Sequence, residues 1–365
     1  MKIIKAKESM SAKERVQRTF AYEKVDRVTI GYNGNANIDK QLTRALGAKD
    51  IGETLDLLGV DYYSVSAPYV GRRLFMAPEG RRVDALEGAV MRWVEHGSGG
   101  YWDYCDFPLK AAAEEAFYSY PVPNPDDFDY DAALIRAKNL SKQQYAVYAG
   151  SAGTPDIINS NGRIMGMEDV LCHLLTGDEA AIHLIHRRAY SQLEVLERLL
   201  DKCRGYIDFV WLGEDMGTQI GPMVSHALYE RTMKPIHKAF AQLACSFNLP
   251  SIMHTCGSSS WAYEHLIEIG IKGVDSLQPE ATDMSPAHLT ERFGGRLNFR
   301  GLVSTTGVLS FGNPEQVEAM CRETLSIMMP CGGYHFAPSH NIQDNTPVKN
   351  VIAMYQAAHT YGSYL

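Results

Sequence analysis

His254 and Cys256 stand two residues apart, at the end of the short run Pro250-Ser251-Ile252-Met253 and just before Gly257. On an extended segment, residues i and i+2 face the same side. An imidazole and a thiolate placed this way can grip one metal ion together. That donor pair suits Zn²⁺, which in catalytic sites takes three protein ligands and keeps one position open. Taken alone, the pair also describes a satisfied buried histidine beside a thiol packed as a small hydrophobe. Two further signals stand in comparable places. Glu214-Asp215 follows the apolar run Phe209–Leu212 and is flanked by Gly213 and Met216-Gly217; adjacent acids there are costly unless used. His340 follows Pro338-Ser339 and precedes Asn341.

Residues scattered this widely need a scaffold that returns to one place. Eight short apolar runs provide it: Val28–Tyr32, Val60–Val65, Tyr145–Tyr148, Phe209–Leu212, Ser251–Met253, Gly273–Leu277, Leu297–Phe299 and Tyr334–Phe336. Several are apolar on both faces, as a parallel sheet covered by helices requires. Helical patterns lie between them. Ser11-x-x-Glu14 reads as a capping box, and Asn313-Pro314-Glu315-Gln316 as an N-cap with Pro in the first turn and Gln at the third position. Asp178–Cys203 and His226–Phe247 read as long helices, the second bent at Pro235, and Thr346-Pro347 opens a last helix ending near Gly362. Alternating strands and helices predict an α/β fold, a (β/α)₈ TIM barrel spanning residues 1–365 as one domain, ahead of a doubly wound open sheet. The stretch 71–128, between the second and third strands, is rich in Gly, Pro, Trp and Tyr. Its run Val90–Val94, bounded by Gly88 and Gly97, predicts a hairpin. The insertion reads equally as a lid over the site or as a flap for homodimer contacts.

Composition narrows the partners. With 35 basic and 43 acidic residues the formal charge is −8, and no basic run exceeds a pair. Nucleic acid and anionic membranes are therefore excluded as expected partners. No apolar stretch approaches the roughly 20 residues of a spanning helix, and the first residues lack a signal-peptide core. Seven cysteines without a pairing framework point to a reducing cytoplasm.

Barrel chemistry collects where strands end. The polar residues there are Tyr32 and Asn33, Tyr69, Gly150 to Gly153, Glu214 to Gln219, His254 to Gly257, Gln278 to Glu280, Arg300 and Ser339 to Gln343. The motifs Gly213-Glu214-Asp215-Met216-Gly217, His254-Thr255-Cys256-Gly257 and Ala337-Pro338-Ser339-His340-Asn341-Ile342-Gln343 resemble those of the uroporphyrinogen decarboxylase superfamily, in its methyltransferase-like branch. The resemblance extends from Glu14-Arg15-Val16 and Val25-Asp26-Arg27-Val28 to Thr346–Val351. It implies a (β/α)₈ barrel and a zinc enzyme that exchanges methyl groups with cobalamin or a corrinoid protein. Two departures matter. Decarboxylases of the superfamily carry Arg-Gln-Ala-Gly-Arg after the first strand, where this chain has Asn33-Gly34-Asn35-Ala36-Asn37. A polycarboxylate would lack its counter-charge there. The thiol-methylating members place a cysteine in a Ser-Pro-Gly-Cys context, where this chain has Ala337-Pro338-Ser339-His340. The resemblance thus implies His254, Cys256 and His340 as zinc ligands. It implies Glu214 and Asp215 as catalytic acids, with Glu214 as fourth ligand or as a partner to the ligands. Tyr32, Asn33, Tyr69, Gln219, Gln278 and Gln343 are then expected to line the substrate pocket. The methyl partner would be a small thiol, folate, or methoxylated or methylated compound. Two alternatives stay open: a decarboxylase using Arg72, Arg73, Arg81 and Arg82 on another carboxylated substrate, and a non-catalytic corrinoid or tetrapyrrole binder.

Overall fold

All eight expected runs form strands in the computed structural model, which describes residues 2–96 and 99–364. They are β1 (Thr29–Ile30), β2 (Tyr62–Val65), β3 (Ala146–Pro155), β4 (Phe209–Gly213), β5 (Ser251–His254), β6 (Gly273–Leu277), β7 (Asn298–Val303) and β8 (Tyr334–Pro338). Hydrogen-bonded neighbours run β1-β8-β7-β6-β5-β4-β3-β2, every pair parallel. Strands β4, β6, β7 and β8 are buried at every position, one face on the barrel interior and the other under helices. The fold is the expected (β/α)₈ barrel.

The β1–β2 joint has no ladder among the described residues. A single backbone bond crosses it, Asp61 N–H to Ile30 O at 3.0 Å. The Asp61 carboxylate also accepts the Ile30 N–H at 2.7 Å. Arg15 and Arg27 both donate to Asp61, and Arg15 grips Asp26 through Nε and Nη2 at 2.6 and 3.0 Å. These four charged side chains are fully buried, so pairing and added hydrogen bonds must offset their lost hydration.

Below the site the barrel is plugged. The helix Ala12–Phe20 brings Val16 and Phe20 against Tyr62, Phe209, Trp211 and Ile252. Its N-cap is Ser11, which accepts the Glu14 N–H. The capping box at Asn313 and Gln316 forms with both of its hydrogen bonds. The Glu179–Lys202 helix starts and stops within a residue of its expected ends. The helix before β5 departs from expectation. It widens ahead of Pro235, into an i→i+5 segment at Tyr229–Met233. Proline has no N–H to give the previous turn, and the hydrogen-bond register shifts there.

The insertion forms a three-stranded antiparallel sheet, Arg82–Val83, Val90–His96 and Gly99–Tyr104. Gly97, one expected boundary of the hairpin, lies outside the described residues. The insertion leans toward the Glu179–Lys202 helix and the ends of β2 and β3, where Leu86, Glu87 and Phe128 wall a cavity. Among the described residues no helix is long and apolar enough to cross a membrane.

Candidate metal centre

His254 closes β5, and Cys256 follows at the turn onto the loop. His254 Nε2 lies 3.3 Å from Cys256 Sγ. For tetrahedral zinc with bonds of ~2.0 and ~2.3 Å, a spacing of about 3.5 Å is expected. His340 arrives from the loop after β8, its ring centroid 6.1 Å from that of His254. One ligand atom from each of the three lies within 4.8 Å of the others, and no other such group is found among the described residues. The turn that carries Cys256 depends on Gly257. Its φ is +70°, and a Cβ there would sit 2.3 Å from Gly217 O.

The layer beneath orients the histidine. His254 Nδ1 is 2.8 Å from Ser276 Oγ and 3.2 Å from Asp275 Oδ2. With the proton on Nδ1 both oxygens accept it, and Nε2 keeps a free lone pair toward Cys256. Such outer partners fix the tautomer of metal-binding histidines. Ser276 holds φ at +61°, a left-handed conformation rare for a serine. Asp275 is fully buried and paired with Arg300, whose Nε donates to Tyr62 and whose Nη2 donates to Asn33 Oδ1 at 2.8 Å. The guanidinium stacks 4.4 Å over Trp211. Burial alone would raise Asp275, yet Arg300 and His254 bring it down to about 2. His254 is pulled upward by Asp215, Asp275 and Cys256 against its own burial, so its surroundings attract positive charge to the ring, a proton or a cation in its place. His340 is pushed down by burial and by the nearby His254, which keeps its ring neutral. Two imidazoles, one of them oriented from below, and a cysteine sulfur make a donor set that fits zinc; burial pushes the Cys256 thiol up, so an ion bound there would have to displace its proton.

The two adjacent acids part company. Glu214 is not among the three converging side chains, although its backbone N–H donates to His254 O at 2.9 Å. Its carboxylate turns away to cap the Ile157–Met165 helix, accepting the Ile157 and Ile158 N–H groups at 2.7 and 3.0 Å. His237 Nε2 sits 3.1 Å away on the other side. Both side chains are fully buried; burial pushes Glu214 up to about 8 and His237 down to about 3. Asp215 is the acid at the site. Its Oδ1 lies 3.5 Å from His254 Nε2 and accepts the Cys256 N–H at 3.1 Å, while Asn159 donates to Oδ2 at 2.9 Å. Burial would raise it, but these partners hold it below the usual carboxylate range.

A cleft of about 330 Å³ opens over Cys256 and His340, lined also by Gln219, Gln278, Gln343 and Thr306. Gln278 Oε1 accepts both the Gly257 N–H at 2.7 Å and the Gln219 amide at 3.2 Å. Three expected pocket residues lie elsewhere. Tyr32 donates to Asp39 and packs against Tyr355 in the helical layer. Asn33 serves Arg300. Tyr69 lies just ahead of the insertion and faces it, bonded to Arg72 O and against Phe128. None of these three lines the cleft, and neither does any described residue of the insertion. Cys331 is at the opposite end of the barrel, before β8, its thiol on Met328 O. Asp275, Ser276 and Asn159 were not singled out from sequence. The signal for the first was an acid inside a run buried on both faces.

The uroporphyrinogen decarboxylase family model matches residues 166–361, just over half the chain, including every residue of the cluster. A methyltransferase from Methanosarcina mazei superposes with a TM-score of 0.65 at 15% identity, covering 96% of this chain and 98% of that one. A β-L-arabinopyranosidase from Geobacillus stearothermophilus superposes more distantly, with a TM-score of 0.41 at 9% identity over 94% of this chain and 78% of that one. No curated protein matches. With the barrel and the matched span together, the chain belongs to the uroporphyrinogen decarboxylase family.

Proposed function

We propose that this protein is a zinc-dependent methyltransferase that moves a methyl group between a corrinoid, free or protein-bound, and a small substrate. The observation that carries the reading is the convergence of His254, Cys256 and His340 within 4.8 Å, with Nδ1 of His254 held from below. Bound zinc would act as a Lewis acid on the substrate heteroatom, lowering the pKa of a thiol or hydroxyl. The chain's own residues do the rest. Cys256 and the two imidazoles would hold the ion, and Asp215 would anchor the Cys256 backbone and face His254 Nε2. Gln219, Gln278 and Gln343 offer amide groups to a polar small molecule in the cleft.

The decarboxylase alternative loses its support. Arg72, Arg73, Arg81 and Arg82 are exposed on the insertion, and Arg81 is paired with Asp106. The test has two parts. Cys256→Ser should cut zinc content well below that of the parent, read by metal analysis of untagged protein. The zinc-loaded parent should consume methylcobalamin in the presence of a thiol or folate acceptor, or methylate cob(I)alamin from a methoxylated or methylated amine donor, followed in the visible spectrum. Unchanged zinc in the variant, or a silent spectrum over a broad panel, overturns the reading.

A further inference from the structure

A second cavity, of about 530 Å³, shares no lining residue with the cleft over Cys256 and His340. It opens where β2 and β3 end and the Glu179–Lys202 helix runs past, with the insertion as its remaining wall. Most of that wall is apolar: Val65, Leu86, Val122, Phe128 and Leu196. The volume is in the range of small-ligand pockets. Into this apolar lining the helix sets two polar side chains one turn apart, Arg188 and Gln192.

Neither is satisfied. Arg188 is only 6% exposed. Its Nη2 donates to Ser160 O at 3.3 Å, but its Nη1 is buried with no partner. Gln192 Oε1 is likewise buried and unpartnered. An orphaned buried group of this kind is costly, most of all when charged. The nearest acid does not neutralise the site. Glu87 Oε2 stands 3.9 Å from Arg188 Nη2, beyond hydrogen-bond reach, and 3.6 Å from Arg163 Nη1, whose guanidinium also faces Asp156 Oδ2 at 3.7 Å.

We infer that this cavity is a binding site for a small monocarboxylate with an apolar body and a hydrogen-bond donor. The carboxylate completes the Arg188 fork at Nη1, where a charge-assisted bond is strongest. The apolar body replaces water along the wall. The donor satisfies Gln192 Oε1. A neutral apolar ligand would leave Nη1 orphaned, and a phosphate dianion would bring no body to cover the apolar wall. The site stands apart from the zinc reading and does not need it.

The probe is 4-hydroxybenzoate, which carries a carboxylate, an apolar ring and a phenol donor, with benzyl alcohol as the uncharged comparison. Calorimetric titration of the full chain should show 4-hydroxybenzoate binding at least tenfold tighter than benzyl alcohol. Arg188→Met should weaken it at least tenfold. Cys256→Ser should bind it like the parent, which separates this cavity from a carboxylate held on a metal. Arg188 also supports Ser160 O, so a second variant guards against misfolding. Val195→Trp fills the cavity, leaves Arg188 in place and should abolish binding with little change in the melting temperature. No binding to the parent, equal binding of benzyl alcohol, loss of binding in Cys256→Ser, or unchanged affinity in the folded cavity variants would overturn the proposal.

Discussion

Glu214 and Asp215 are neighbours in sequence and opposites in chemistry. The first is sealed from water with two backbone N–H groups and an imidazole. The second meets a histidine, an amide and the Cys256 N–H. Environment, not residue type, assigns the roles. The same logic singles out Ser276, whose hydroxyl reaches His254 Nδ1 at 2.8 Å from a left-handed backbone position. Ser276→Ala removes that oxygen and leaves Asp275 in place. Zinc affinity should fall about 10- to 100-fold, as for other residues that orient a ligand, while folding stability should change by only about 1 kcal/mol. Competition with a chromogenic chelator reads the first and thermal melting the second. Parental zinc affinity would show that Asp275 alone sets the ring.

Among the elements, the strand ends decide where the chemistry converges. Gly257→Ala would force a Cβ to within 2.3 Å of Gly217 O at a φ of +70°. Overpacking against backbone costs typically 1–3 kcal/mol, and the left-handed conformation adds roughly 1–2 more. A lowered melting temperature and displaced zinc binding should appear together, because Cys256 and the Gln278 contact ride on this turn. A stable variant with weakened zinc binding would mean that the loop moves without the barrel.

How much of this was legible in the sequence varies by element. The eight strands were, because runs buried on both faces have few other uses. So were the helix starts at Asn313 and Asp178, because caps are local. His254, Cys256 and His340 were legible as a set only through motif resemblance, since nothing local says that β5 and β8 end at the same mouth. Asn33 does face inward, one layer down on Arg300, but Tyr32 was misjudged for a different reason. A strand end has two sides, and a two-residue strand such as β1 gives too little pattern to tell the helical layer from the interior. Glu214 was misjudged because its partner, the start of the Ile157–Met165 helix, is created by the fold of another segment. Pro235 was seen, but the widened turn it causes falls one turn earlier.

For the whole molecule, buried histidines set the response to acid. His359 donates from Nε2 to Leu58 O at 3.0 Å and accepts the Ala6 N–H at Nδ1 at 3.3 Å. Burial, with Arg27 nearby, lowers it from about 6.5 to about 4. Its stabilisation is therefore fully present above the unfolded value and is lost as the pH falls from about 6.5 toward 4, on the order of 3 kcal/mol in all. His237 and His335, each pushed down to about 3, act in the same direction. Asp26 works lower. Arg15 holds it below the usual carboxylate range against its burial, so its contribution is kept above about 3.8 and fades only in stronger acid. His359→Gln can keep both hydrogen bonds without titrating. Denaturant midpoints measured from pH 7.5 to 4.5 should fall less steeply for this variant than for the parent; parallel curves would place the acid sensitivity elsewhere.

The β1–β2 joint has a thermal consequence. Seven of the barrel's eight joints are ladders, and this one is held largely by Arg15, Arg27, Asp26 and Asp61. Warming makes ion hydration less favourable, so withholding water from buried charges costs less, while the contribution of apolar burial levels off. The joint that is poorest in backbone bonds is thus the one whose main contacts gain on heating relative to the rest of the wall. In a warm cell the ring closes through its charges.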